Sequence, residues 1–343
     1  MLLNNFLPLF RPEPLLEWKS FLLFSGCILF LITQQDVAAQ APVKSDTFQV
    51  FLLAGQSNME GQGVVDLDHP KYYNSGKGIL KNVMKNPKRA ELYRHIVDGE
   101  GNFITREDVF VRFVTRTRTK TGGLSIGFTG YDGKHHIGPE FQFGHVVGDA
   151  IGDPVLLIKT AWGGKSLYQD FRPPSATGET GPYYTRMIRE IREALKSCEK
   201  EFPQLKGKTP VIRGFVWFQG WNDMFNQDAL KEYEANLVCL VRDVRKEFGL
   251  SELPVVIGEL GNGGEKAGQN MKSIRRAQKN ATLNHGLKNV LFVPTTSFAR
   301  PASESPNISH GHHWFGNAES YFLVGNALGK AMLELLSEDR QPN

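Results

Sequence analysis

Five short apolar segments recur along the chain, and amphipathic stretches separate them. Their continuous aliphatic and β-branched character is typical of strands buried on both faces; they are Phe48–Ala54, Pro154–Thr160, Val211–Phe218, Leu253–Leu260 and Val290–Pro294. The stretches with helical periodicity are Glu140–Ile151, Tyr184–Phe202, Gln227–Phe248, Gln269–Leu283 and Asn317–Leu336. This alternation predicts a five-stranded parallel sheet with right-handed crossovers, in a three-layer α/β/α sandwich.

A long insertion, over about residues 62–137, follows the first predicted strand. Within it, Asp108–Thr115 alternates between apolar and polar residues and predicts one arm of a β-hairpin, with Thr121-Gly122-Gly123 as the turn. Because the insertion leaves the first strand at its carboxyl end, it either shapes access to a site there or is a surface excursion.

The N-terminal residues differ in character from the rest. A basic start leads into the apolar run Phe21–Ile32, and small residues follow up to Ala41. This order predicts a signal peptide over residues 1–39, and the run is short for a membrane span. A retained anchor is the alternative. The mature protein is then secreted or periplasmic, with one domain over 45–338 and no stable membrane span.

Composition excludes some classes of function. The net charge of +4 is small for 343 residues, and no cluster of Lys and Arg is dense enough to predict nucleic-acid binding. We therefore expect a small or carbohydrate ligand. The mature chain retains Cys198 and Cys239, as free thiols or one disulfide.

The first apolar segment stops at Gly55-Gln56-Ser57-Asn58. A parallel strand that ends this way delivers a hydroxyl to the carboxyl edge of the sheet, where ligand sites of open α/β sheets form. The preceding glycine permits a tight turn that leaves Oγ accessible, as a nucleophile requires. An ordinary strand-to-loop turn is the alternative, because Gly, Ser and Asn favour turns.

Two further strand ends carry groups suited to an oxyanion. Gly163-Gly164 follows the second strand, and paired glycines free backbone N–H groups for an anion. A phosphate-binding loop is disfavoured, because the spacing fits neither the P-loop nor the dinucleotide motif. Gly220 and the Asn222 amide follow the third strand. They supply donors for an oxyanion, or a polar turn before the next helix.

Three histidines precede the last predicted helix: His310, His312 and His313. A hydroxyl nucleophile needs a base, and His serves most often because its pKa lies near neutrality. The loop after the final strand can return such a His to the first strand. A structural role or a metal site is the alternative, but no Asp, Glu or Cys completes an evident metal site nearby.

These motifs together resemble the SGNH hydrolase superfamily, in particular its sialate O-acetylesterase and acetylxylan esterase branch. The matching segments, which run from about Gln49 to Met332, are Gly55–Met59, Gly138–Glu140, Ala161–Ser166, Trp217–Gly220 and His313–Glu319. The resemblance implies a flavodoxin-like SGNH hydrolase fold. It also implies a secreted carbohydrate O-acetylesterase that acts on sialic acid or xylan type sugars, with no metal or organic cofactor.

The resemblance also assigns roles to residues. Ser57 would attack the acetyl carbonyl, and His313 would take the serine proton and later protonate the leaving sugar hydroxyl. The Ser57 N–H, one glycine of the Gly163-Gly164 pair (Gly164 is favoured) and the Asn222 amide would form the oxyanion hole.

The chain departs from the superfamily pattern at one position. An Asp usually lies three residues before the catalytic His, and here that residue is His310. Either Glu304, Glu319 or Asp223 orients the imidazole of His313, or a backbone carbonyl does. The departure leaves a second hypothesis, a catalytically impaired carbohydrate-binding protein.

Three tryptophans adjoin the predicted functional loops: Trp162, Trp221 and Trp314. An indole ring matches the apolar C–H face of a sugar, so each either stacks on the ligand or packs in the core.

Overall fold

The structure, a computed structural model, describes residues 45–66 and 74–338; the predicted signal peptide over 1–39 lies outside the described residues. The strands are β1 Thr47–Gly55, β2 Gly63–Val64, β3 Val109–Val114, β4 Thr119–Gly123, β5 His136–Ile137, β6 Val155–Ala161, β7 Thr209–Phe218, β8 Val255–Gly258 and β9 Val290–Val293. The α-helices are α1 Ser57–Glu60, α2 Leu80–Val83, α3 Ala90–Tyr93, α4 Pro139–Ala150, α5 Pro182–Glu201, α6 Gln227–Phe248, α7 Gln269–Leu283 and α8 Ala318–Glu338.

The main sheet has seven strands in the order β4-β3-β6-β1-β7-β8-β9. The α/β class and the parallel character are confirmed, since every pairing is parallel except β3 with β4. The prediction of five strands is wrong, because the insertion contributes β3 and β4 to the same sheet. β3 extends the sheet beside β6, and β4 closes that edge.

The hairpin of the insertion is confirmed, but its predicted turn is wrong. The chain reverses at Thr115–Arg118, where the Thr115 hydroxyl oxygen accepts a hydrogen bond from the Arg118 N–H at 3.1 Å. Gly122 and Gly123 lie within β4 instead. Residue 123 must be a glycine, because the backbone of Arg106 passes so close that a Cβ on Gly123 would lie 2.1 Å from its carbonyl oxygen.

Helices cover both faces of the sheet. Residues Phe48, Val50 and Leu52 of β1 pack into one core with α5, α6 and α7, whereas Phe51 and Leu53 pack into a second core with α4 and α8. Both side-chain directions of β1 are therefore buried, which explains its unbroken apolar sequence. The predicted three layers are present.

The sheet order changes direction at its central strand. After β1 the chain forms β3 and β4 at one edge and returns to β6 beside β1, and it then crosses to the other side and builds outward through β7, β8 and β9. Such a switch point opens a crevice at the carboxyl ends of the strands. The loops after β1, β6 and β7 meet there.

Two remaining expectations concern the cysteines and the membrane. Cys198 and Cys239 are both free thiols, so they form no disulfide with each other. Among the helices of residues 45–66 and 74–338, none has the length and apolar character that a membrane span requires.

Candidate active site

Ser57 is the first residue of α1, directly beyond the end of β1. Gly55 approaches the neighbouring strand so closely that a Cβ there would lie 2.1 Å from the Phe218 carbonyl oxygen. Only glycine fits, so the glycine is needed by packing against β7 as well as by the turn. Ser57 is 7% exposed. Its Oγ and backbone N–H have no hydrogen-bond partner among residues 45–66 and 74–338.

Gln56 joins the loops after β1 and β7. Its Oε1 accepts hydrogen bonds from the backbone N–H of Gly220 at 3.2 Å and of Asn222 at 3.4 Å. Its amide nitrogen donates to Asn222 Oδ1 at 3.3 Å. Asn222 in turn donates to the Gly164 carbonyl at 2.7 Å. A carboxamide has two N–H groups, so one N–H of Asn222 remains unpaired.

Asp223 fixes the loop that follows β6. Its buried carboxylate accepts hydrogen bonds from the backbone N–H groups of Leu167 at 3.0 Å and Tyr168 at 2.8 Å, and from the Gln219 amide at 2.6 Å. Burial raises the pKa of Asp223 to about 6, although these donors oppose the shift. The carboxylate is thus bound to this loop and does not orient His313.

His313 lies in the 3-10 segment Gly311–Gly316, ahead of α8. Burial lowers the pKa of His313 to about 3, and the neighbouring His312 and His310 add to the shift. The imidazole is therefore neutral over the ordinary pH range, as a proton acceptor must be. Its ring nitrogens form no hydrogen bond with any described residue, Ser57 included. Catalytic hydrogen bonds of this kind are often long without substrate.

The two other carboxylates that the sequence suggests as partners of the His313 imidazole have different surroundings. Glu319 forms ion pairs with Arg89 and Arg300. Glu304 has an exposed side chain with no bonded partner in the described part of the chain. At the usual Asp position, the His310 ring nitrogen accepts a hydrogen bond from the Asn307 amide. Among the described residues, none of these side chains forms a hydrogen bond with the His313 ring.

Hydrogen bonds connect the Ser57-Asn58 segment with the histidine loop, and the sequence did not predict them. Asn58, next to Ser57, donates to the His312 carbonyl at 3.2 Å and accepts from the Tyr321 hydroxyl at 2.8 Å. The same hydroxyl lies 3.3 Å from the His313 carbonyl. Asn262, beyond the end of β8, donates to the His312 carbonyl at 3.0 Å. Together these side chains hold the backbone of the two loops side by side.

The histidine loop has a strained backbone. Trp314 and Phe315, which follow His313, have φ values of 51° and 54°, in the left-handed region. Non-glycine residues there cost about 1–3 kcal/mol each and persist where the surroundings fix them. Here the Phe315 N–H donates to the His310 carbonyl at 3.0 Å, and the Phe315 carbonyl accepts from Asn307 at 2.8 Å.

The three histidines lie close together, with ring centroids of His312 and His313 4.0 Å apart. Within residues 45–66 and 74–338, however, no group of three or more His, Cys, Asp or Glu side chains has a metal-binding arrangement.

The tryptophans divide into two kinds. Trp162 and Trp314 are each 2% exposed, so a stacking role on sugar is wrong for them. Trp162 packs on Phe171 instead, at 5.9 Å between ring centroids. Trp221 is partly exposed, and its ring centroid lies 5.8 Å from that of His312 and 5.9 Å from that of Phe225, which is 70% exposed. Trp221 is therefore the tryptophan of the three that a ligand can reach.

A buried ion pair contacts the end of α1. The Lys159 ammonium donates to Glu140 at 2.6 Å and to the Glu60 carbonyl at 2.9 Å. Glu140 also accepts the Gly138 N–H at 3.0 Å. The Gly138–Glu140 motif thus acts through Lys159 on the end of α1.

Residues 47–334 match the family model of a carbohydrate esterase that is described as a sialic acid-specific acetylesterase. The chain belongs to this family. The resemblance to the sialate O-acetylesterase branch is therefore confirmed. Membership in this family of carbohydrate esterases supports hydrolase activity on an acetylated carbohydrate.

The following proteins are similar to this chain at low sequence identity. A probable carbohydrate esterase of Arabidopsis thaliana is 23% identical over 229 residues, or 66% of this chain and 73% of that protein. The crystal structure of NanS has a TM-score of 0.52 at 15% identity and covers 86% of this chain and 99% of its own. A carbohydrate acetylesterase of Xanthomonas citri has a TM-score of 0.51 at 16% identity, over 84% and 57%. At such identities the structural likeness shows the fold alone.

Proposed function

We propose that the protein removes acetyl groups from sugar hydroxyls through an acetyl-enzyme formed on Ser57, with His313 as the base. The observation that carries this proposal is the Asn58 and Tyr321 network, because it ties the segment after Ser57 to the backbone of His312 and His313. Family membership supplies the acetyl ester as substrate.

In the first step, the Ser57 Oγ attacks the acetyl carbonyl carbon, and the hydroxyl proton passes to His313. The tetrahedral oxyanion then collapses, the bond to the sugar oxygen breaks, and His313 returns the proton to that oxygen. In the second step, water attacks the acetyl carbonyl carbon and gives a proton to His313; the bond to Ser57 Oγ then breaks, His313 returns the proton to Oγ, and acetate leaves. Both steps need a neutral imidazole at the start, which agrees with the lowered pKa of His313.

Three donors are proposed for the oxyanion. The backbone N–H groups of Ser57 and Gly164 have no acceptor in the described residues, and Asn222 has an amide N–H to spare. Gly164 has φ +75° and open space around its Cβ position, whereas the Gly163 N–H interacts with the Glu60 carboxylate. This difference supports Gly164 over Gly163. Each such donor lowers the barrier by about 3–4 kcal/mol.

In the proposed Ser57–His313 dyad, the imidazole of His313 must be held in one orientation. Among the described residues, no carboxylate shifts the pKa of His313, so we propose that the strained loop and its buried backbone contacts hold the ring in place. An unassisted dyad is slower than a full triad, because no anion stabilises the imidazolium.

The test is release of acetate from acetylated sialic acid and from acetylated xylan, with intact protein and with Ser57→Ala. We expect release that the variant loses. His313→Gln should abolish it too, whereas His312→Gln, the matched control on the adjacent residue, should retain most of it. Release that Ser57→Ala retains would refute Ser57 as the nucleophile, and no release from any acetyl ester would favour a catalytically impaired carbohydrate-binding protein. Equal loss in the two histidine variants would refute the assignment of His313.

We also propose that the protein is exported after cleavage at residue 39, on the basis of its N-terminal sequence. N-terminal sequencing of the native mature protein tests this directly. An intact N-terminus in a membrane fraction would show a retained anchor instead.

A further inference from the structure

The tip of the insertion hairpin brings a positive charge to the proposed site. A Cβ placed on Gly163 would lie 3.5 Å from Arg116 Nη2 and 3.6 Å from the Ser57 Cβ. Both atoms lie close to this one point, so the guanidinium and the serine are neighbours. The hairpin that carries Arg116 is part of the main sheet, and Thr115 is 5% exposed and bonded across the turn to Arg118. The backbone next to Arg116 is thus held by the turn of the hairpin.

This guanidinium has no partner in the described part of the chain, unlike its neighbours. Arg112 pairs with Glu201 at 2.8 Å, and Arg118 pairs with Asp132 at 2.7 Å. Arg116 forms neither an ion pair nor a hydrogen bond there, and its side chain is exposed. Five N–H donors are left to a ligand.

A carboxylate of the protein lies nearby but does not pair with this charge. Glu60 is 7% exposed, and burial raises its pKa, while Lys159, Arg116 and the Gly163 N–H lower it. No ion pair between Arg116 and Glu60 forms. The competing explanation of Arg116 is that it balances the buried Glu60, and the experiment below separates the two.

We propose that Arg116 binds the carboxylate of an acidic acetylated sugar and so selects the substrate. This inference rests on the proposed function. Arginine suits the role because its planar fork matches a carboxylate with two parallel charge-assisted hydrogen bonds. Sialic acids and uronic acid residues both offer such a carboxylate, whereas neutral acetylated xylan does not.

The experiment compares an acidic ester with its neutral counterpart. The probes are 9-O-acetyl-N-acetylneuraminic acid and the methyl ester of its carboxyl group, in wild type, Arg116→Gln, Arg116→Lys and the matched control Arg118→Gln. Acetylated glucuronoxylan and neutral xylan oligosaccharides form a second pair, which separates the two sources of carboxylate.

We expect wild type to prefer the acidic member of at least one pair. Arg116→Gln should lower kcat/KM for the acid by about 10- to 100-fold, the usual loss for one charge-assisted contact, and for the neutral ester by a few-fold at most. Arg116→Lys should recover part of the preference, and Arg118→Gln should keep it. Equal losses on the acidic and neutral esters would overturn the inference and indicate that Arg116 balances the charge of Glu60. A wild type that prefers neither ester would also overturn the inference.

Calorimetry separates failure of this inference from failure of the proposed function. Should no ester be hydrolysed, the esterase assignment fails, and binding of N-acetylneuraminic acid still tests the subsite. Binding that Arg116→Gln abolishes and Arg118→Gln keeps would support it. No binding, or equal binding by both variants, would overturn it.

Discussion

The Tyr321 hydroxyl is the smallest group whose removal tests the link between nucleophile and base. Tyr321→Phe deletes one oxygen from a ring that is 1% exposed and leaves Asn58 Oδ1 without its 2.8 Å donor. It also removes the 3.3 Å contact to the His313 carbonyl. A buried acceptor left unpaired costs about 1–3 kcal/mol, so we expect this loss in the free energy of unfolding. The displaced histidine loop should lower kcat by about tenfold.

Tyr93→Phe is the matched control. Tyr93 is also 1% exposed, but its buried hydroxyl has no hydrogen-bond partner in the part of the chain that the structure describes, so its removal should be neutral or slightly stabilising. Urea unfolding and acetate release measure the two variants under the same conditions. A double-mutant cycle of Tyr321→Phe with Asn58→Ala should give a coupling of about 1 kcal/mol. The reasoning is refuted if Tyr321→Phe matches Tyr93→Phe in stability and retains full kcat.

Three further outcomes follow from buried groups. Asp223→Ala leaves the N–H groups of Leu167 and Tyr168 unpaired, so thermal unfolding should show a loss of about 3 kcal/mol or more; an unchanged Tm would contradict this. The pKa of His313, about 3, predicts that kcat/KM stays level as pH falls from 7 to 5, and an acid limb centred near 6.5 would count against His313 as the base. Burial likewise lowers the pKa of His145 to about 3. As pH falls below about 6.5, His145 is therefore protonated in the unfolded chain but stays neutral in the folded one. Stability is then lost as pH falls towards 3, by at most about 1.4 kcal/mol per pH unit for this group, and His145→Leu should flatten the slope in pH-dependent denaturation.

The sequence predicts the fold where local pattern decides it. β1 and β6 are buried on both faces, so their apolar runs identify them directly. The place of β3 was not predictable in this way. Its parallel pairing with β6 depends on contacts between segments far apart in the chain, and a half-buried pattern is equally compatible with a separate hairpin.

Sequence position likewise predicts some residues of the candidate site and not others. Ser57, Gly164, Asn222 and His313 follow strand ends or precede a helix, where sequence position alone indicates a common edge. Asn262 also follows a strand end, that of β8, so its position indicated the same edge. A single Asn there is, however, also an ordinary turn residue.

Other partners of the site could be found only from three-dimensional packing. Tyr321 lies inside α8, and nothing in its neighbours along the chain distinguishes it from a core aromatic. The exposure of Trp221 and the burial of Trp162 and Trp314 likewise follow from tertiary contacts. Arg116 resembles any charged residue of a turn until the proximity of Gly163 is known.

The hairpin of the insertion also determines what the sheet presents to other molecules. Without it, β6 would become the edge, and all seven of its residues are buried in the folded chain. An apolar edge strand with open hydrogen-bonding groups is a template for association between chains. β4 replaces it with a short strand of threonine, lysine and glycine that is partly exposed along its length. A shortened version of this protein that lacks the hairpin should therefore self-associate through β6, and the insertion belongs to the solubility of the enzyme as much as to its chemistry.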